Sequence, residues 1–170
     1  MRNVWLAMVG VALLSGCTRT VLGDKTPDVS KCQAGYVAPN RAQLLSDLSA
    51  AEARWANADI RDYQYEAFSF AEPGFSAALR WTVRAGQAVS ATPLNDRTTT
   101  PVDLSGGVME RRFNDIRKFV SDDRDASDCP FYTVNYDPAD GHVTSYSSGF
   151  LSPYIADGGS GYTISAFTKQ

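Results

Sequence analysis

The apolar positions of this chain change period from one segment to the next. Beyond residue 40, Leu44, Leu48, Ala51, Trp55 and Ala58 recur at steps of four and three, with Asp47, Glu52 and Arg54 between them. That spacing gives a helix one buried face and one wet face. Asn40 stands just ahead of the run and Gln43 three residues further on, a capping-box pattern that predicts the helix opens at Asn40. Residues 62–70 carry Tyr63, Tyr65, Phe68 and Phe70 and read as a strand closed by the turn Glu72-Pro73-Gly74. In residues 77–85, Leu79, Trp81 and Val83 alternate with Arg80, Thr82 and Arg84, the period of two that a half-buried strand needs. Gly86 breaks that run, and residues 87–91 return as its hairpin partner.

Residues 92–107 hold Pro93, Asn95, Asp96, three consecutive threonines, Pro101 and Gly106-Gly107, the composition of an exposed connection. Met109, Phe113, Ile116 and Val120 then restore the helical period, with Glu110, Arg112, Asp115 and Lys118 on the water side. A loop with four acidic residues, 122–128, leads to Cys129-Pro130. Strands follow at 131–136, 142–148 and 161–168, the first two joined by Asp137-Pro138-Ala139-Asp140-Gly141, where Pro presets one turn angle and Gly supplies a positive φ. The order α-β-β-β-α-β-β-β predicts a single α+β domain, an antiparallel sheet of about five to six strands with two helices packed on one face. The two halves share an order of elements but no residue period, so no internal repeat is read.

Ahead of this body, Arg2 precedes an apolar run from Val4 to Leu14 that ends in Leu14-Ser15-Gly16-Cys17. The run is too short to span a bilayer and fits a lipoprotein signal peptide over residues 1–16, cut before Cys17, whose thiol then carries acyl chains. Removing residues 1–16 from 170 leaves 154, enough for one domain with a real core. Residues 17–39, lipidated Cys17 with a tether and lead-in, then connect to a globular domain at 40–170. Net charge is −3, or −4 once Arg2 is lost with the leader, and the basic residues are scattered. That distribution excludes nucleic acid as a partner. With Cys17 taken by the anchor, Cys32 and Cys129 remain in an exported, oxidising setting, where a disulfide is the natural reading and two separate thiols the alternative.

Several landmarks fall in a recognisable order: Trp55 followed by residues 60–65 (Ile-Arg-Asp-Tyr-Gln-Tyr), then residues 81–90, then Phe113-Asn114-Asp115-Ile116, then Tyr136 with the Asp137–Gly141 turn. Together they resemble the bacterial envelope family catalogued as domain of unknown function 6174, over about residues 41–168. The resemblance implies a small exported protein or lipoprotein and a fold, and it implies no chemistry. The chain departs from that family where His142 and Val143 replace a tyrosine and proline after the hairpin glycine, and where closely spaced cysteines after the first strand are missing.

The candidate chemistry is thin. His142 is the lone histidine, expected as an exposed or hairpin-packing imidazole, and Ser160 lies in a glycine-rich loop with no nucleophile-elbow pattern around it. Asp122, Asp123, Asp125 and Asp128 lack the glycine and closing glutamate of a calcium loop and read as solvated. One histidine and two oxidised cysteines do not make a zinc site, so neither metal nor cofactor is expected. Aromatic residues are the remaining candidates. Tyr63, Tyr65, Tyr136 and Tyr146 lead a set, with Tyr132, Tyr154 and Tyr162, that forms a binding face if exposed on the sheet and a core if turned to the helices. The expected function is a non-enzymatic, lipid-anchored module of the cell envelope that engages an envelope protein or cell-wall partner through its sheet surface or residues 92–107. It is placed at the outer membrane, facing the periplasm. The alternatives are an envelope enzyme with an unrecognised site and an inhibitor or immunity-type lipoprotein.

Overall fold

The computed structural model describes residues 30–96, 102–122, 128–152 and 158–170. The leader, Cys17, Asp123, Asp125 and Tyr154 lie outside them. The elements follow the expected order: α1 (Arg41–Ala58), β1 (Tyr63–Ala71), β2 (Phe75–Arg84), β3 (Gln87–Pro93), a short 3-10 turn (Leu104–Gly107), α2 (Met109–Ser121), β4 (Pro130–Tyr136), β5 (Val143–Phe150) and β6 (Ser160–Lys169). Asn40 caps α1 by accepting from the Gln43 amide at 3.0 Å, but Gln43 does not reach back to complete the box. Its side chain reaches forward one turn to Asp47 at 2.8 Å instead.

The six strands form one antiparallel sheet in the order β3-β2-β1-β6-β5-β4. β1 and β6, almost the whole domain apart in sequence, are the central pair, while β3 and β4 are the edges and α2 carries the chain from one edge to the other. The two three-stranded meanders therefore meet through the first strand of one and the last strand of the other. Equivalent positions of the two halves do not face each other, which accounts for the missing residue repeat.

Alternation decides the core. Tyr63, Tyr65 and Ala67 on β1, Ala77, Leu79, Trp81 and Val83 on β2, and Tyr162 and Ile164 on β6 are all buried. All but Ala77 share one core with Leu48, Ala51 and Trp55 of α1 and Met109, Phe113, Ile116 and Val120 of α2. Each large apolar side chain so enclosed contributes about 1.5–3 kcal/mol relative to exposure. The other face of the sheet carries Gln64, Glu66 and half-exposed Phe68, with Arg80 on Glu66 at 2.6 Å and Gln64 on Thr82 at 3.1 Å. The connection predicted to be exposed is so only in part. Its 3-10 turn ends on buried Gly107, where an added Cβ would overlap the Trp81 ring.

The strand register gives the molecule two distinct ends. At one lie Ala71, Phe75, Pro93, Pro130, Phe150 and Ser160; at the other lie Tyr63, the β2–β3 turn, the Asp137–Gly141 turn and Lys169. Cys32 and Cys129 form the expected disulfide, with Cα atoms 5.5 Å apart, and it fastens the lead-in to the first of these ends. Gln33 adds a backbone bond to Leu151 at 2.8 Å, and the Tyr36 hydroxyl donates to the Pro130 carbonyl at 2.9 Å.

Candidate functional site

The tyrosines do not line an exposed face. Tyr63, Tyr65 and Tyr146 are 1%, 0% and 5% exposed, turned inward beneath the helices, so the candidate binding surface built on them is corrected to core. The sheet needs large flat side chains under two helices, and the inward parity of β1 and β5 supplies them. Tyr63 and Tyr65 also do polar work there. Val108 precedes helix α2 as its N-cap without offering a capping side chain, and the Met109 amide donates to the Tyr63 hydroxyl at 2.8 Å instead. The Tyr65 hydroxyl donates to the Gly107 carbonyl at 2.8 Å. Tyr146 packs between Phe119 and Tyr162, with ring centroids 5.9 and 5.8 Å away. Tyr136 is half-buried beside Phe113, its hydroxyl enclosed without a hydrogen-bond partner. Burial raises the phenol pKa at Tyr63, Tyr65, Tyr136 and Tyr162; at Tyr136 the negative charges of Asp47 and Glu52 push the same way.

A concave site appears where none was expected, between the C-terminal half of α1 and the N-terminal half of α2. The groove encloses about 540 Å³, the size range of small-ligand sites. Trp55, Ile60 and Phe113 supply its apolar surface, Glu52, Asp59, Arg61 and Glu110 its charges, and the Ala85-Gly86 turn part of its wall. The Trp55 indole N–H donates to Glu110 Oε1 at 2.9 Å, which fixes ring and carboxylate against each other. Arg117 of α2 engages Glu52, and Arg61 holds Asp59 at 3.0 Å. Each of these residues looked ordinary in sequence: Trp55 and Phe113 belonged to core stripes and Glu110 to a wet helix face. Only their convergence from α1, α2 and the β2–β3 turn makes a site.

A second polar cluster lies at the same end. His142, expected as an exposed or hairpin-packing ring, is 7% exposed and belongs to the hairpin. Its Nδ1 lies 2.6 Å from Asp140 Oδ1, so the ring presents Nδ1–H to the carboxylate, and the same oxygen accepts from the His142 amide at 3.0 Å. Lys169 Nζ holds Asp140 Oδ2 at 3.1 Å. Desolvation works to raise the Asp140 pKa, but the hydrogen bonds from His142 and Lys169 outweigh it and hold the carboxyl below its ordinary value. The imidazole stacks on Phe167 with centroids 4.0 Å apart, and Phe167 in turn meets Tyr63 and Trp55.

Asp137, Asp140 and His142 have potential ligand atoms within 4.8 Å of one another. The donors are already engaged, however. Asp137 Oδ1 accepts from the Ala139 and Asp140 amides, and both Asp140 oxygens are bonded, one of them to an ammonium that a metal ion would have to displace. The cluster has the chemistry of a tied turn. Of the acidic loop, Asp122 and Asp128 are exposed. Ser160 lies on β6 facing Ser148, with the hydroxyl oxygens 3.4 Å apart, and is not hydrogen-bonded to His142.

The model of a family of unknown function, DUF6174, matches residues 47–169, from within α1 to the last residue of β6. The chain belongs to the DUF6174 family. Curated proteins yield no match. The DUF6174 match takes in every residue of the groove and of the Asp140–His142–Lys169 cluster, whereas Cys32 and the lead-in precede it.

Proposed function

We propose that this DUF6174 protein is a lipid-anchored binding domain of the cell envelope, held to the membrane through Cys17 and recognising an envelope partner without catalysing a reaction. The observation that carries this reading is the polarity of the fold. The lead-in that follows Cys17 is tied by Cys32–Cys129 to one end, and the groove lined by Trp55, Phe113 and Glu110 opens at the other. A disulfide of this kind accords with an oxidising compartment. Thr18, rather than aspartate, after the anchor cysteine favours the outer membrane where the source has two membranes.

What supports binding over chemistry is the state of the polar groups. Glu52 and Asp59 are each matched by an arginine, and Glu110 is held by an indole donor. His142 and Asp140 do resemble a base with its orienting carboxylate, but a catalytic triad also needs a nucleophile bonded to the imidazole. Among the described residues none makes that bond. Metabolic labelling with a fatty acid should mark the native protein and leave Cys17→Ser unmarked, and cross-linked pull-down from solubilised envelope should recover a stoichiometric partner. An unlabelled protein with an intact leader, or labelled protein that never captures a partner, would overturn the reading.

A further inference from the structure

We infer that the groove between α1 and α2 receives a cationic side chain, a lysine or arginine, presented by a protein partner. The inference rests on the binding-domain reading and names its ligand chemistry. Three carboxylates line the groove, and two already have cations: Arg61 on Asp59 and Arg117 on Glu52. Glu110 does not. Its Oε1 takes the Trp55 N–H, and its Oε2 has no partner among the described residues. The Glu110 carboxylate is thus oriented from one side and left open on the other, next to the apolar surface of Trp55, Ile60 and Phe113.

Glu110 is exposed at the mouth of the groove, so an incoming cation reaches its open oxygen without first displacing another ion pair. The long alkyl stem of a lysine or arginine packs on aromatic carbon while its head pairs with the acid, so one side chain satisfies both halves of the groove. An anionic ligand would meet three carboxylates and find two arginines already engaged. The rim favours a protein over a free amine. Ala56, Ala85 and Gly86 are small and exposed there, which lets a partner main chain approach closely while its side chain enters. The net charge of −3 adds a long-range preference for a basic partner.

The test is a titration of the full chain, held in detergent micelles, with a capped Gly-Lys-Gly peptide, following the NMR signal of the Trp55 indole N–H. A saturable shift is expected with this peptide and with its arginine analogue, and none with the glutamine analogue. Glu110→Gln retains an acceptor for the indole and should weaken binding about two- to fivefold, the range expected for an exposed ion pair. Glu66→Gln, on the open sheet face, should leave binding unchanged. Three results would overturn the inference: no shift with the basic peptides, equal affinity in Glu110→Gln, or tighter binding of a free alkylamine than of the peptides. If the groove fails while a partner is still recovered by pull-down, the binding-domain reading stands and its site lies elsewhere. If the peptides bind but Cys17 carries no lipid, the groove stands and the anchor falls.

Discussion

Val108 gives the second helix no side-chain oxygen for its first turn, and the Tyr63 phenol takes over that task from the neighbouring sheet. The Met109 bond would favour the ionised phenol, but enclosure opposes the phenolate charge more strongly. Tyr63, Tyr65, Tyr136 and Tyr162 all have pKa values raised above the ordinary 10.0 by burial, so the unfolded chain gives up these protons first. The stabilisation is therefore complete below about pH 10 and declines as pH rises toward the folded-state values. Thermal melts followed by circular dichroism should give a melting temperature that is flat through neutral pH and falls above about pH 10. Tyr63→Phe, which strands the Met109 amide, should cost about 1–3 kcal/mol and make the alkaline fall shallower. An alkaline melting curve that stays level would contradict the burial that raises these phenol pKa values. The alternation of Tyr63 and Tyr65 was legible in the sequence, but the direction they face was not, since an aromatic core and an aromatic binding surface share the same period.

Among the elements, the helices and strands were legible because each carries its own period: Leu48, Ala51 and Trp55 for α1, and Leu79, Trp81 and Val83 for β2. Their arrangement was not. The pairing of Tyr63–Ala71 with Ser160–Lys169 joins segments almost a whole domain apart, and no local residue choice records it. The Cys32–Cys129 bond was readable from cysteine number and the expectation of export, and its mechanical meaning comes from the fold. It closes a loop spanning 97 residues and pins an irregular lead-in to the start of β4. Replacing both cysteines with serine should cost about 2–5 kcal/mol. For a domain of this size that is a drop on the order of 10 °C in melting temperature. Reduction of the wild-type protein should reproduce the loss, and a melting temperature indifferent to both changes would show that the lead-in is held by its other contacts.

At the scale of the whole molecule, the groove and the Asp140–His142–Lys169 cluster occupy the end where α1 finishes, β1 begins and the chain ends, while the disulfide marks the opposite end. The groove escaped sequence reading because its parts come from α1, α2 and the β2–β3 turn, and each part has a sufficient explanation within its own element. Chain polarity then gives the site a direction. If the chain is anchored through Cys17 as proposed, a domain tethered near Cys32 would present the groove away from its point of attachment. Site-specific photo-cross-linking in intact cells tests this most directly, with the cross-linking residue placed at Asn114 on the groove and, in parallel, at Phe68 on the open sheet face. The account predicts a discrete protein adduct from position 114 that weakens with Glu110→Gln, and none from position 68. Adducts from position 68 alone would place recognition on the sheet and contradict it.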